Sequence, residues 1–148
     1  MSIRVFLKRI WPRVNCSLSC YIVAYIYLRR FTKRYPLALI DSYSIHNFII
    51  TSLLLAAKFM HNKKYKNPDF AILGLLPKAE MHMLETKFLA AIDYRLHVST
   101  EEYMNICIWM SMSMSKTSEI CPSPSCCYEG LHQHSHEDHG QFFFSFFF

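Results

Sequence analysis

The stretch 44–62, SIHNFIITSLLLAAKFMHN, constrains this chain more than any other. Its apolar residues do not keep to one side. Ile45, Phe48, Ile49, Ile50, Leu53, Leu54, Leu55, Ala56, Ala57, Phe59 and Met60 run all round a helix. A surface helix carries one apolar stripe, whereas a helix that is apolar all round is wrapped by other elements. A bilayer span needs roughly 20 uncharged residues. This run is shorter and ends in Lys58, His61, Lys63 and Lys64, so a buried core helix is expected and a membrane span is not. The remaining helices should pack around it, and Lys58 is the charge that needs an explanation.

A chain of 148 residues has room for one domain and a tail. Three glycines among many Leu, Ile, Ala and Met residues favour an all-α fold. The net charge of +5 is uneven: residues 1–107 hold 15 basic and 7 acidic side chains, 15 − 7 = +8, and residues 108–148 hold 1 and 4, 1 − 4 = −3. A basic domain fits a nucleic acid, an acidic partner or simply a solvated face. Cys16, Cys20 and Cys107 lie in apolar segments, where reduced thiols are expected. The N-terminus has no small-residue cleavage site after its short apolar stretch, so no secretory signal is expected.

Helix signals flank the central run. Ile3, Phe6, Leu7 and Ile10 make an amphipathic stripe over 2–11, which Pro12 should end. Ser17 is positioned to cap a second helix over 18–34, whose last turn gathers Arg29, Arg30, Lys33 and Arg34. Asp41 or Ser42 suits the cap of the central helix. A short helical turn over 68–73 should end at Gly74. Met81, Leu84, Phe88, Leu89 and Ile92 mark a helix over 78–93, with an extended exit over 94–98. Ser99 or Thr100 then opens a last helix reaching Cys107.

From about residue 108 the composition turns Ser-, Met- and Pro-rich without a clear period, and an irregular tail is expected. Cys121, Cys126 and Cys127 with His132, His134, His136 and His139 include soft metal ligands, but outside the recurring structural-zinc spacings. Incidental metal binding by an unpacked tail is the plainer expectation. The terminal FFFSFFF is too short to span a bilayer, and reads as an aggregation liability, a membrane-surface stub or an untidy gene-model end.

Five stretches carry a resemblance: SIRVFLKRI (2–10), NCSLSCYIVAYIYLRRF (15–31), the central run (44–62), YKNPDFAILG (65–74) and EMHMLETKFLAAIDYRLHVSTEEY (80–103). Together they resemble a cyclin box, above all that of the P-type (U-type) plant cyclins, relatives of the yeast phosphate-signalling cyclin. The resemblance implies a five-helix bundle over 2–107 with the third helix at its centre, and none of it covers 108–148. It implies a subunit that binds and activates a cyclin-dependent protein kinase, an A-type plant kinase foremost, in cell-cycle or phosphate signalling, in the nucleus or cytoplasm. No catalysis, cofactor or metal goes with that role.

By the same resemblance, Lys58 and Glu85 match a Lys/Glu pair that hydrogen-bonds the kinase backbone beside its mobile regulatory helix. Leu55, Phe59, Leu89, Tyr94 and Leu96 match the apolar positions around that pair. The sequence departs from the family at Arg29, where relatives carry an Asp that pairs with a basic residue of the first helix. It departs again at Leu75 and Pro77, where relatives favour Gly and Ser, and in the ending beyond Cys107. No substrate-docking word occurs in the first helix. Two other readings are a nucleic-acid-binding cyclin fold of the transcription-factor kind, disfavoured by the lack of a second box, and an inactive truncated cyclin. A third reading, an enzyme, is disfavoured by the lack of a nucleophile–base frame, a Gly-rich phosphate loop or a carboxylate-rich metal word.

Overall fold

The computed structural model describes residues 1–37, 44–61 and 65–115. Every regular element among them is a helix: α1 (Ile3–Val14), α2 (Leu18–Arg34), α3 (Ser44–Met60), α4 (Asn67–Gly74), α5 (Lys78–Ala91) and α6 (Thr100–Ser115). The fold is all-α with a central third helix, as the sequence implies. The described residues hold six helices where a five-helix bundle is implied.

The core is built on α3, which packs against α1, α2, α4 and α5. Every residue from Ile49 to Ala57 is buried. Two of these are polar, and each satisfies its hydroxyl inside the helix. Thr51 Oγ1 donates to the Asn47 carbonyl at 2.6 Å and Ser52 Oγ to the Ile49 carbonyl at 2.9 Å. Such back-bonding lets hydroxyls enter a core without an unpaired donor. Phe6, Leu7 and Ile10 of α1, Tyr27 of α2, Phe70 of α4, and Met81 and Phe88 of α5 close over the same cluster.

Helix α1 does not stop at Pro12 but runs through it to Val14, and the chain turns at Asn15 with φ 47°. Proline removes one helical hydrogen bond and crowds the preceding turn. Burial of Val14 beside Ile10 holds the last turn in place against that loss. Ser17 stands at the N-cap of α2 with extended backbone, yet its hydroxyl makes no cap bond. It lies instead 3.3 Å from His61 Nε2, joining the start of α2 to the residue after α3. The expected caps Asp41 and Ser42 lie outside the described residues.

At the end of α4, Gly74 is the last helical residue and Leu75 takes the left-handed position, with φ 58°. Gly74 serves close packing, since a Cβ there would stand 3.3 Å from Ile50 Cγ2. The left-handed turn falls on a leucine that is largely exposed. A side chain in that conformation costs about 1–2 kcal/mol relative to glycine. Leu75→Gly should therefore raise stability by about 1 kcal/mol, read as a higher urea midpoint at unchanged slope.

Helix α6 corrects the expected end of regular structure at Cys107, since it continues to Ser115. Ser99 Oγ accepts from the Glu102 amide at 3.1 Å, and two glutamates occupy the first turn. Tyr103, Ile106, Cys107 and Met110 all pack on Ile22 and Ile26 of α2. Their spacing of i, i+3, i+4 and i+7 crosses the expected boundary, where alternating Ser and Met disguise it. The serines are absorbed by the helix, Ser111 and Ser113 each donating to the carbonyl four residues before at 3.0 Å.

Arg29 does not face the basic residues of α1. Its guanidinium lies over the Trp109 ring of α6 at 5.7 Å, and Trp109 stacks on Tyr25 at 6.0 Å. A cation on an aromatic face is favourable without a carboxylate partner. Arg9 of α1 donates to the Leu73 carbonyl at the end of α4. The departure at position 29 thus joins α2 to α6. The Cys, His and Phe clusters from residue 116 onward lie outside the described residues.

Candidate partner interface

Helix α3 leaves the core at Lys58, which follows the buried Ala57. There the end of α3, the start of α4 and the middle of α5 converge on three polar side chains. Lys58 Nζ donates to Glu85 Oε1 at 2.5 Å and also to Asn67 Oδ1. Asn67 Nδ2 donates to Glu85 Oε2 at 2.6 Å, closing a three-membered ring of hydrogen bonds. The Lys58 side chain is 32% exposed and that of Glu85 11%. His82 Nδ1 stands 3.9 Å from Glu85 Oε2 on the outer side.

Placing one carboxylate nearly out of water is costly unless its lone pairs are met, and here each oxygen has a donor. The lysine keeps a third N–H, and both carboxylate oxygens keep acceptor capacity. The cluster can therefore present fixed charge to a partner's backbone without leaving its own pair unmet beforehand. It has no nucleophile–base arrangement. Among the described residues no three His, Cys, Asp or Glu side chains are grouped to hold a metal ion. No helix among them is long and apolar enough to cross a membrane.

The apolar positions divide. Phe59, beside Lys58, is 51% exposed and Tyr94 is 66% exposed. Leu89 and Leu96 are half-buried against the core. Leu55, expected among the apolar positions around the pair, shares the face of Lys58 and Phe59 but lies one turn nearer the core, at 3% exposure. Phe59 and Leu96 line one groove of about 230 Å³ together with Val23, Met60, Val98 and Tyr103.

Leu96 is held by α2. Tyr27 Oη donates to its carbonyl at 2.6 Å, and Arg30 donates to the His97 carbonyl at 2.8 Å and to Glu102 Oε2 at 2.7 Å. Leu89 and Tyr94 are tied by the turn that ends α5, where the Tyr94 amide donates to the Leu89 carbonyl at 2.9 Å. That turn puts Asp93 and Tyr94 in succession at φ 58° and 54°.

Sequence reasoning missed Asn67, because Asn-Pro read only as a turn signal. It also missed Met60, Val98 and Tyr103, which become neighbours of Phe59 only in three dimensions. Asn67→Ala removes one donor from Glu85 and one acceptor from Lys58. It should cost about 1–2 kcal/mol of stability by denaturant unfolding, the range for an unmet partly buried polar group.

A family model described as "Cyclin" matches residues 1–96. Cyclin-U4-3 of Arabidopsis thaliana is 45% identical over 115 residues, covering 78% of this chain and 52% of that protein. Cyclin-U4-2 of Arabidopsis thaliana is 42% identical over 122 residues, 82% of this chain and 56% of that protein. Cyclin-P4-1 of Oryza sativa subsp. japonica is 41% identical over 131 residues, 86% of this chain and 62% of that protein. The chain spans between 52% and 62% of the length of these three relatives. No solved structure matches it.

Proposed function

The chain belongs to the cyclin family, in its plant U/P type, and from that premise we propose that it binds a cyclin-dependent protein kinase and holds it in its active arrangement. The carrying observation is the Lys58–Glu85–Asn67 cluster beside the groove of Phe59 and Leu96. Fixed charges next to exposed apolar anchors make the pattern of a polar rim around a binding core. The aromatic anchors supply most of the affinity, and the charged pair sets register.

The subunit itself performs no chemistry in this reading. A kinase is active when its regulatory-helix Glu pairs with the strand Lys that holds the ATP phosphates. A surface that binds this arrangement more tightly than the inactive one shifts the population toward it. Moving a kinase from about 1% to about 99% active takes a differential affinity of about 5.5 kcal/mol. An A-type plant kinase, a nuclear or cytoplasmic setting, and a role in cell-cycle or phosphate signalling complete the proposal.

The basic excess of residues 1–107 is partly taken up inside the fold. Arg9 binds a backbone carbonyl, Arg30 pairs with Glu102, Arg34 lies 3.7 Å from Asp93 and Lys58 pairs with Glu85. That use favours a protein partner over a phosphate backbone. The test is co-expression with an A-type plant cyclin-dependent kinase, scoring co-purification and histone phosphorylation. A stable complex with raised activity is expected, and failure to co-purify overturns the reading.

A further inference from the structure

We propose that Arg30 is a positioning residue for the partner groove: it fixes the linker between α5 and α6, and through that linker the place of Leu96. The role rests on the kinase-binding reading and extends it to a side chain that does not itself line the groove. Arg30 follows Tyr27 by three residues on α2, which puts both on one side of the helix. From there the two reach three successive carbonyls of the linker. Arg30 Nη1 donates to the Arg95 carbonyl, Tyr27 Oη to the Leu96 carbonyl at 2.6 Å, and Arg30 Nη2 to the His97 carbonyl at 2.8 Å. The same Nη2 meets Glu102 Oε2 of α6 at 2.7 Å. The guanidinium lies over the Tyr27 ring at 5.8 Å, and the Arg30 side chain is 19% exposed.

The linker depends on such support. Residues 95–99 belong to no helix, so their carbonyls lack the partners that a helix supplies. Bonds within the linker engage its amides: Arg95 N–H donates to the Ile92 carbonyl at 3.2 Å and Leu96 N–H to the Tyr94 carbonyl at 3.0 Å. Just before, Asp93 and Tyr94 hold their successive left-handed conformations. Strain of that kind persists only where the surroundings impose it. The stretch so held supplies Leu96 and Val98 to the groove, while α3 supplies Phe59 and Met60. A shift of the linker therefore reshapes the groove without touching Phe59 or the Lys58–Glu85 pair.

Arginine suits this task better than lysine. Its planar fork can hold two carbonyls and a carboxylate at once, whereas an ammonium on a flexible stem is a point charge. Arg30→Lys keeps the charge beside Glu102 and loses the span. A wall already fixed in the free chain needs less ordering when a partner binds, so losing the span lowers affinity.

Kinase binding by the full chain is titrated by surface plasmon resonance for Arg30→Lys, Leu96→Ala and the two together. Arg30→Lys should weaken affinity about tenfold, the worth of one or two hydrogen bonds. In the Leu96→Ala background the same substitution should cost less than about twofold, because it acts through Leu96. In the Asn67→Ala background it should keep its full effect, since that cluster shares no partner with Arg30. In the free chain, hydrogen exchange at the Arg95 and Leu96 amides should quicken about threefold or more, with α3 unchanged. Tyr27→Phe, which drops only the bond to Leu96, should move both readings the same way by less. Unchanged linker exchange overturns the proposal, as does unchanged affinity or a full tenfold loss in the Leu96→Ala background. If the unsubstituted chain does not bind the kinase, the parent reading falls and this role with it; the other three results overturn the role alone.

Discussion

Replacing Lys58 and Glu85 together by alanine should remove the chain from a kinase pull-down while its helical circular dichroism stays unchanged. Losing a hydrogen-bonded charge pair at an interface costs about 2 kcal/mol or more in all, so binding should weaken by roughly thirtyfold or more. Stability responds differently. Deleting Lys58 alone leaves the Glu85 carboxylate, 11% exposed, with Asn67 as its close donor. Stranding such a charge costs several kcal/mol when fully buried, and Lys58 is 32% exposed, so a loss of about 1–2 kcal/mol is expected for Lys58→Ala. Deleting both partners removes the stranded charge and leaves a smaller cost. The double variant should thus be more stable than Lys58→Ala, yet bind the kinase no better. A pull-down unchanged by the double substitution overturns the interface assignment.

Leu54→Ala should cost about 3–4 kcal/mol of folding stability. Leu54 is 0% exposed on the central helix, surrounded by core side chains that cannot all collapse into the space left. Truncating such a leucine removes its transfer free energy and adds a cavity. That is a large share of the roughly 5–15 kcal/mol that holds a domain together. Phe59→Ala, five residues along the same helix, is the contrast. Its ring is 51% exposed, so stability should move by about 0.5 kcal/mol at most while kinase affinity falls. Urea unfolding of both variants, at equal slope, checks the difference. A Leu54→Ala cost below about 1 kcal/mol would contradict a packed α3.

The central helix was legible because burial on all sides leaves a mark that needs no partner to be read. The start of α2 was legible too, since Ser17 stands at its N-cap, although its hydroxyl meets His61 and not the helix. Two ends were misread. At Pro12 a local rule favoured stopping, and the burial of Val14 by other helices outweighed it. Beyond Cys107 the composition looked irregular, but Met110 and Trp109 find Ile22, Ile26, Tyr25 and Arg29 on a helix far away in sequence. Both misreadings come from contacts that a sequence window does not contain.

At the candidate interface the division is the same. The chain's order of residues marked Lys58 as a charge in an apolar helix and, through family resemblance, paired it with Glu85. What only the tertiary structure decided is that Asn67 completes the pair, that Leu55 is covered while Phe59 is not, and that Phe59 and Leu96 share a groove. Periodicity tells which residues lie on a given side of one helix. Which side is covered, and by what, depends on how helices separated by tens of residues cross. That crossing is set by the summed packing of all of them.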